Sequence, residues 1–311
     1  MLLYDRAVPV GRLLLRLVDV LPEPSVRVQR LIAAAVILTQ GGIAVTGAIV
    51  RVTASGLGCP TWPQCFPGSF TPVPVAEVPV IHQAVEFGNR MITFLVVLTA
   101  ALAVLAVTRA RRRPEVLGYA WLMPVSTVAQ AVIGGITVLT DLNPWIVSFH
   151  LLCSLAIIGV SVLFLQRLDH PAPPTVARGP VTGLAWATFA AAWVVLYVGT
   201  VVTGSGPHAG DANAPRNGLD PLQLSQLHAD VVFLFVGLTV GLLFALLSTG
   251  GSAMARRAVV VLLALEVGQG AIGFVQYFTD LPIVLVGFHM LGAALISAGV
   301  TWALIQVREP A

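Results

Sequence analysis

Apolar residues dominate this chain in eight long runs, each close to the roughly 20 residues that an α-helix needs to cross a bilayer. Polar and turn-forming residues separate the runs, and no period-2 alternation typical of strands interrupts them. The pattern predicts an all-α membrane protein with eight transmembrane helices. The predicted spans are 31–52, 88–108, 117–139, 145–166, 181–203, 224–248, 258–278 and 283–306.

Composition supports the same class. Of the 311 residues, 57% are hydrophobic and 10% are charged, and the mean hydropathy is +0.90. Lys is absent, so all 17 basic residues are Arg, and 14 of them fall on one side of the predicted helices. Because basic residues stay on the cytoplasmic side, both termini are predicted to be cytoplasmic in a multi-pass protein of the cell membrane. The basic balance therefore reflects topology and gives no indication of nucleic-acid binding.

The first residues do not resemble a cleavable signal peptide. Arg12 and Arg16 interrupt the short apolar runs there, and no small-residue cleavage site follows. We therefore expect this segment to lie on the cytoplasmic membrane surface.

The chain contains an internal repeat. AQAVIGGITVLTDLNPWIVSFHLL, from Ala129, resembles GQGAIGFVQYFTDLPIVLVGFHML, from Gly268, with matched residues 139 positions apart. VTASG, from Val52, is also similar to VTGSG, from Val202. The prediction is two tandem homologous four-helix bundles. The predicted divisions are a cytoplasmic segment 1–30, a first half 31–166, a linker 167–180, a second half 181–306 and a tail 307–311.

Four histidines share one depth in the predicted membrane, within about two turns of the outer helix ends. They are His82, His150, His228 and His289. A lone intramembrane histidine commonly makes an interhelical hydrogen bond. The pair His228 and His289 comes from different helices of one half, which is the arrangement that an axially ligated haem requires.

The first half differs from the second at one important position. The offset of 139 places Asn89 where the second half has His228. Asn89 belongs to the stretch EFGNR, in which Glu86 and Arg90 have the i, i+4 spacing of a helical ion pair. His82, Glu86 and Asn89 form one stripe on the same helix. His82 therefore either faces the same cavity, as a displaced ligand or contact, or is an ordinary residue of the helix interface.

These features resemble the haem A synthases over about Arg30 to Val307. The resemblance rests on the tandem four-helix halves, the loop TASGLGCPTWPQC, the EFGNR stretch and the three histidines His150, His228 and His289. It implies an enzyme that oxidises a methyl group of haem O to the formyl group of haem A for cytochrome oxidase. It further implies a haem b cofactor on His228 and His289, with the substrate haem in the first half.

Two departures from the family pattern are visible. The usual first-half signature E-x-x-H-R has its histidine replaced by Asn89, and the second outer loop, from Gly204, has no cysteine pair. His150 is thus the firm ligand predicted for the substrate haem. Opposite it, either His82 replaces the missing histidine or the iron face is open, and of the two we favour His82.

Cys59 and Cys65 lie in the predicted outer loop, on the oxidising side of the membrane, where a disulfide can persist. One interpretation is a structural staple for the loop, and the resemblance adds a redox role. Two thiols without nearby paired histidines do not indicate zinc.

The resemblance assigns Glu86 and Arg90 to catalysis. Near the haem edge, the Glu86 carboxylate would shuttle protons or stabilise a cationic intermediate, and the alternative is a helix-end ion pair. The expected partners are haem O, the enzyme that supplies it, membrane lipid and an electron donor that the sequence does not identify, with homo-oligomer formation left open. The alternative functions are a bis-histidine membrane cytochrome that carries electrons, or a membrane transporter.

Overall fold

The computed structural model describes residues 15, 18–170 and 179–308. Within these residues, eight helices are long and apolar enough to cross a membrane, so the chain is a multi-pass membrane protein of the predicted all-α class. They are α1 (Val26–Val52), α2 (Val80–Arg109), α3 (Pro114–Leu139), α4 (Pro144–Asp169), α5 (Pro180–Ser205), α6 (Pro221–Ser248), α7 (Ala253–Phe278) and α8 (Ile283–Arg308).

The helices begin earlier than most of the apolar runs, because capping chemistry and not hydropathy sets their first turns. Helices α3, α4, α5 and α6 each start with a proline, which fits the first helical position because its missing N–H would be unpaired there. The Asp220 carboxylate caps α6 by accepting from two backbone amides, at 2.8 and 3.1 Å. The largest difference is in α2, which starts at Val80, eight residues before the predicted span, so its polar first turns are helical.

The helices pack as two rings of four. Helices α1 to α4 contact one another in sequence and close through α1 and α4, while α5 to α8 close through α5 and α8. The two halves meet where α8 packs on α1 and α4, and where α4 packs on α5. Each half has an apolar core of its own. The predicted tandem arrangement of two four-helix halves is consistent with this packing.

The repeat extends to unusual backbone conformations. Asp141 and Leu142 have φ values of 51° and 60°, and their counterparts Asp280 and Leu281 both have 56°. Such left-handed conformations are uncommon for residues other than glycine. Each pair turns the chain between two helices, α3 to α4 and α7 to α8. The same strained turn therefore ends the third helix of each half.

The two ends of the helix bundle differ in chemistry. We call the end that carries the Cys59–Cys65 loop the disulfide end, and the opposite end the arginine end. At the arginine end the ion pairs are Arg30 with Asp169, Arg111 with Asp19 and Arg167 with Glu115. Which end faces the cytoplasm stays a prediction from the arginine distribution. Residues 1–14 and 16–17 of the predicted cytoplasmic segment, the linker residues 171–178 and the tail residues 309–311 lie outside the described residues.

Candidate haem sites

The second half places the rings of His228 of α6 and His289 of α8 opposite each other at the disulfide end. Their ring centroids are 6.4 Å apart and the rings are inclined at 58° to each other. Two imidazole nitrogens that bind one metal ion at about 2 Å each place the ring centroids roughly 6 Å apart. The spacing therefore fits an iron ion held between the two rings.

Glycines on neighbouring helices make room for these rings. A Cβ atom at Gly199 would lie 3.1 Å from Cε1 of His228, and one at Gly273 would lie 3.6 Å from Cε1 of His289. Nδ1 of His289 is buried without a hydrogen-bond partner among the described residues, which is unusual for a buried polar atom. A ring nitrogen that is not fixed by a protein hydrogen bond is compatible with metal binding.

The repeat preserves the support of one histidine in each half. Gln130 Nε2 donates to the backbone oxygen of His150 at 3.3 Å, and Gln269 Nε2 donates to that of His289 at 2.7 Å. The intramembrane amides, which the sequence shows only as a matched pair, thus hold the backbone of the two matched histidines. Gln269 fits because position 292 is glycine, where any Cβ atom would overlap its Oε1.

The first half contains a cavity of about 680 Å³, within the range of small-molecule and cofactor sites. It lies among α1, α2, α3 and α4 at the disulfide end, and residues of α5, of the loop after α5 and of α8 complete its wall. Most of its wall is apolar, and its polar groups converge from several elements. They include Arg51, Glu86, Asn89, Arg90, Gln130 and His150.

Glu86 and Arg90 connect α2 to the disulfide loop. Arg90 Nη2 contacts Glu86 Oε1 at 2.7 Å, so the predicted ion pair is present. The other carboxylate oxygen accepts from the Cys59 amide at 2.6 Å. Arg90 also donates to the backbone oxygens of Cys59, Thr61 and Gln64, at 2.9, 3.1 and 3.2 Å. These long-range contacts give the pair a structural role that the i, i+4 spacing does not reveal.

Asn89 and His82 have different surroundings, although they share a helix. Asn89 lines the cavity, and its Oδ1 accepts from the Thr46 hydroxyl on α1 at 2.7 Å. His82 is not part of the cavity wall, and its Nδ1 lies 2.9 Å from the Ser55 hydroxyl. Of the two alternatives for His82, its placement therefore favours an interface residue over one that faces the cavity. The reason is that the 53–58 segment covers the first turn of α2, with Gly58 packed against the His82 backbone.

The loop between α1 and α2 forms part of the cavity wall. Cys59 and Cys65 form a disulfide bond, with Cα atoms 4.3 Å apart, and both residues are fully buried. Trp62, inside the bridged segment, packs on α3 at Gly135, where any Cβ atom would overlap the indole ring. The disulfide thus closes a loop whose tryptophan covers the first-half cavity.

The fold and these sites define a multi-pass membrane protein with two four-helix halves, in which paired helices present histidines at one end. The family described as "Cytochrome oxidase assembly protein" (COX15-CtaA) matches residues 30–216, which is more than half of the chain. The protein belongs to this family. Because the matched region ends before α6, the second-half histidine pair depends for its interpretation on the internal repeat and on its own geometry.

Curated relatives are similar over a shorter region. The chain is 33% identical over 136 residues to "Heme A synthase" of Geobacillus thermodenitrificans, covering 43% of this chain and 41% of that protein. It is 33% identical over 140 residues to "Heme A synthase" of Geobacillus kaustophilus, covering 44% and 42%. A third relative of that name, from Lysinibacillus sphaericus, is 29% identical over 116 residues, covering 37% and 36%. The matched regions span about two fifths of these relatives.

Proposed function

We propose that the protein oxidises a methyl group of haem O to the formyl group of haem A, with a haem b as redox cofactor. Family membership and the name shared by the relatives support this activity. The observation that carries it is the difference between the two halves. One half has two facing imidazoles, whereas the other has a cavity with a single imidazole from its own helices, His150, and a buried carboxylate. His208, from the loop after α5, also lines this cavity, but its Nε2 lies 3.0 Å from the backbone oxygen of Leu281.

His228 and His289 are the residues that would hold the haem b iron. Bound there, haem b supplies one-electron redox chemistry. The two imidazoles come from helices that pack in the same bundle, and Gln269 supports the backbone of one of them. Two strong ligands on rigid helices suit a group that stays bound through many reactions.

In the first half, His150 is the imidazole that would hold the substrate haem. The amide of Asn89 is a poor iron ligand compared with imidazole, and its oxygen is already engaged by Thr46. The His82 ring contacts the Ser55 hydroxyl. This placement favours a substrate haem whose iron has no protein ligand opposite His150 over one in which His82 replaces the missing histidine. A haem held by one strong ligand dissociates more readily, which suits a substrate that must leave as product.

Glu86 provides negative charge at the cavity wall. It is 5% exposed, and its two oxygens accept from Arg90 and from the Cys59 amide. These donors fix the carboxylate in position, so no reorganisation is needed when positive charge develops at the methyl carbon. Arg90 anchors the loop that covers the cavity, and the loop limits the access of water.

The test is expression of the protein in a host that supplies haem O, followed by pigment extraction and mass analysis. We expect haem A, or its alcohol intermediate, from the native protein and none from His150→Ala. His170→Ala is the matched control, because this exposed histidine lies at the arginine end, and it should leave the yield unchanged. Conversion that survives His150→Ala would contradict the assignment.

A bis-histidine membrane cytochrome is the second candidate. The His228–His289 pair, with ring centroids 6.4 Å apart, supports this function as strongly. An electron carrier would show the low-spin haem b spectrum without converting haem O. In both cases His228→Ala and His289→Ala should each abolish that spectrum. The absorption spectrum and the extracted pigment together therefore distinguish the two functions.

A further inference from the structure

Arg51 lies in the last turn of α1, where the two halves of the protein meet. Its Nε donates to the backbone oxygen of His208 at 2.7 Å, and its Nη2 donates to that of Thr203 at 2.8 Å. Both acceptors belong to the second half, yet the arginine lines the first-half cavity. The side chain is therefore held in a fixed position at the disulfide end of the cavity wall.

The charge of Arg51 has no counter-ion among the described residues. Its hydrogen bonds go to neutral carbonyl groups. No carboxylate of the described residues lies close enough to form an ion pair with it. The charged group that acts on it is Arg216, which repels it. Arg90, the other arginine of the cavity, is already paired with Glu86. Arg51 is half-buried, and a half-buried cation without a counter-ion is costly, so an anionic group of a ligand would stabilise it.

We propose that Arg51 binds a propionate carboxylate of the haem that occupies the first-half cavity. This inference rests on the proposed function, because it names the part of the substrate that the cavity recognises. The two hydrogen bonds to Thr203 and His208 use two of the five N–H groups of the Arg51 guanidinium. The remaining N–H groups supply the planar donor arrangement that matches a carboxylate.

This contact would set the orientation of the substrate. Both propionates of a haem lie on one edge of the macrocycle, so a carboxylate bound at Arg51 directs that edge to the disulfide end. Together with His150 it fixes the ring at two points, the iron and one edge. A ring held at two points presents the same methyl group to the same part of the wall in every reaction cycle.

The test uses the full-length protein in neutral detergent, with the site between His228 and His289 already filled with haem b. Protohaem and its dimethyl ester are titrated separately, and binding of the additional haem is followed by the Soret band. The ester keeps the iron and the ring but has no carboxylate. We expect the native protein to bind protohaem roughly 10- to 100-fold more tightly than the ester, the range of one charge-assisted hydrogen bond.

Variants locate the effect. Arg51→Gln should weaken protohaem binding to the affinity of the ester and leave ester binding unchanged, while Arg51→Lys should retain part of the preference. Arg257→Gln is the matched control, since it removes the same charge from an exposed residue at the arginine end. It should preserve the preference for protohaem, because exposed charges are screened.

Two results would overturn the inference. The first is that the native protein binds protohaem and its dimethyl ester equally tightly. This result would show, without any variant, that the carboxylates are not recognised. The second is that Arg51→Gln keeps its full preference for protohaem, which would assign recognition to another group.

Repeating the titration with added anionic phospholipid tests a lipid phosphate as the ligand of Arg51. Strong competition by the lipid, without any discrimination between protohaem and its ester, would favour the lipid phosphate. If equal affinity accompanies normal haem A formation, the inference about Arg51 fails alone. If neither compound binds, the proposed function fails with it.

Discussion

Replacing Glu86 by glutamine separates its structural role from its chemical role. The change keeps the shape of the side chain and removes its charge. Because one carboxylate oxygen accepts from the Cys59 amide and the other from Arg90, the NH₂ group of glutamine must face a donor in either orientation. The variant therefore loses the ion pair and places two donors against each other.

The cost follows from burial. The Glu86 side chain is 7% exposed and that of Arg90 is 20% exposed. The ion pair is therefore intermediate between a fully buried pair and an exposed pair. Breaking a buried pair costs about 3–5 kcal/mol, whereas an exposed pair contributes about 0–1 kcal/mol. After allowance for solvent screening at Arg90, we expect a loss of about 2–3 kcal/mol. By the scaling for domains of comparable size, the melting temperature should fall by roughly 5–10 °C.

Three measurements on the purified variant test this account. Thermal unfolding measures the stability loss, the absorption spectrum measures haem b at His228 and His289, and extracted pigment measures the reaction. We expect an intact haem b spectrum and haem A formation reduced by about 100-fold or more, as for loss of a proton-transferring or charge-stabilising group. Thiol labelling after mild reductant should detect Cys59 and Cys65 sooner than in the native protein, since their loop has lost an anchor.

Glu115→Gln is the matched control. It makes the same chemical change in the ion pair with Arg167 at the arginine end, where the glutamate side chain is 33% exposed. Because the Arg167 side chain is only 7% exposed, we expect a loss of about 1–2 kcal/mol, between the values for exposed and buried pairs, and a normal haem A yield. Normal haem A formation by Glu86→Gln would reject its chemical role, and an unchanged melting temperature would reject the packing account. Activity that returns on cooling would attribute the defect to folding.

Three further predictions concern the cavity and the second-half histidine pair. Asn89→His should retain haem more tightly in the first half and slow product release, measured as haem content after washing and as turnover; equal retention would argue against an open iron face. His82→Ala should keep most of the haem A yield, because its ring contacts Ser55; a loss as severe as that of His150→Ala would restore it as a ligand. Gly292→Ala should displace the Gln269 amide that supports His289. We expect it to reduce stability by about 1–3 kcal/mol and to perturb the haem b spectrum. The control Gly287→Ala, which has open space around its Cβ position, should change neither.

Hydropathy and the internal repeat by themselves determined the eight helices and the two halves. The bilayer requires each spanning segment to be apolar and helical over its own length. A local apolar run is therefore sufficient evidence for one transmembrane helix. The offset of 139 also predicted which residues correspond, and the structure agrees even in the backbone of Asp141 and Asp280. The i, i+4 spacing of Glu86 and Arg90 similarly predicted a contact within one helix, which is present.

Tertiary structure alone decided which polar side chains share a cavity. Helical periodicity placed His82, Glu86 and Asn89 on one stripe, but the covering segment near Gly58 removes His82 from the cavity wall. Arg51 gave no local signal, because its partners at 203 and 208 are more than 150 residues away. A periodic pattern specifies the direction of a side chain from its own helix. What that side chain meets depends on loops and on the other half of the protein, whose positions result from packing of the whole chain.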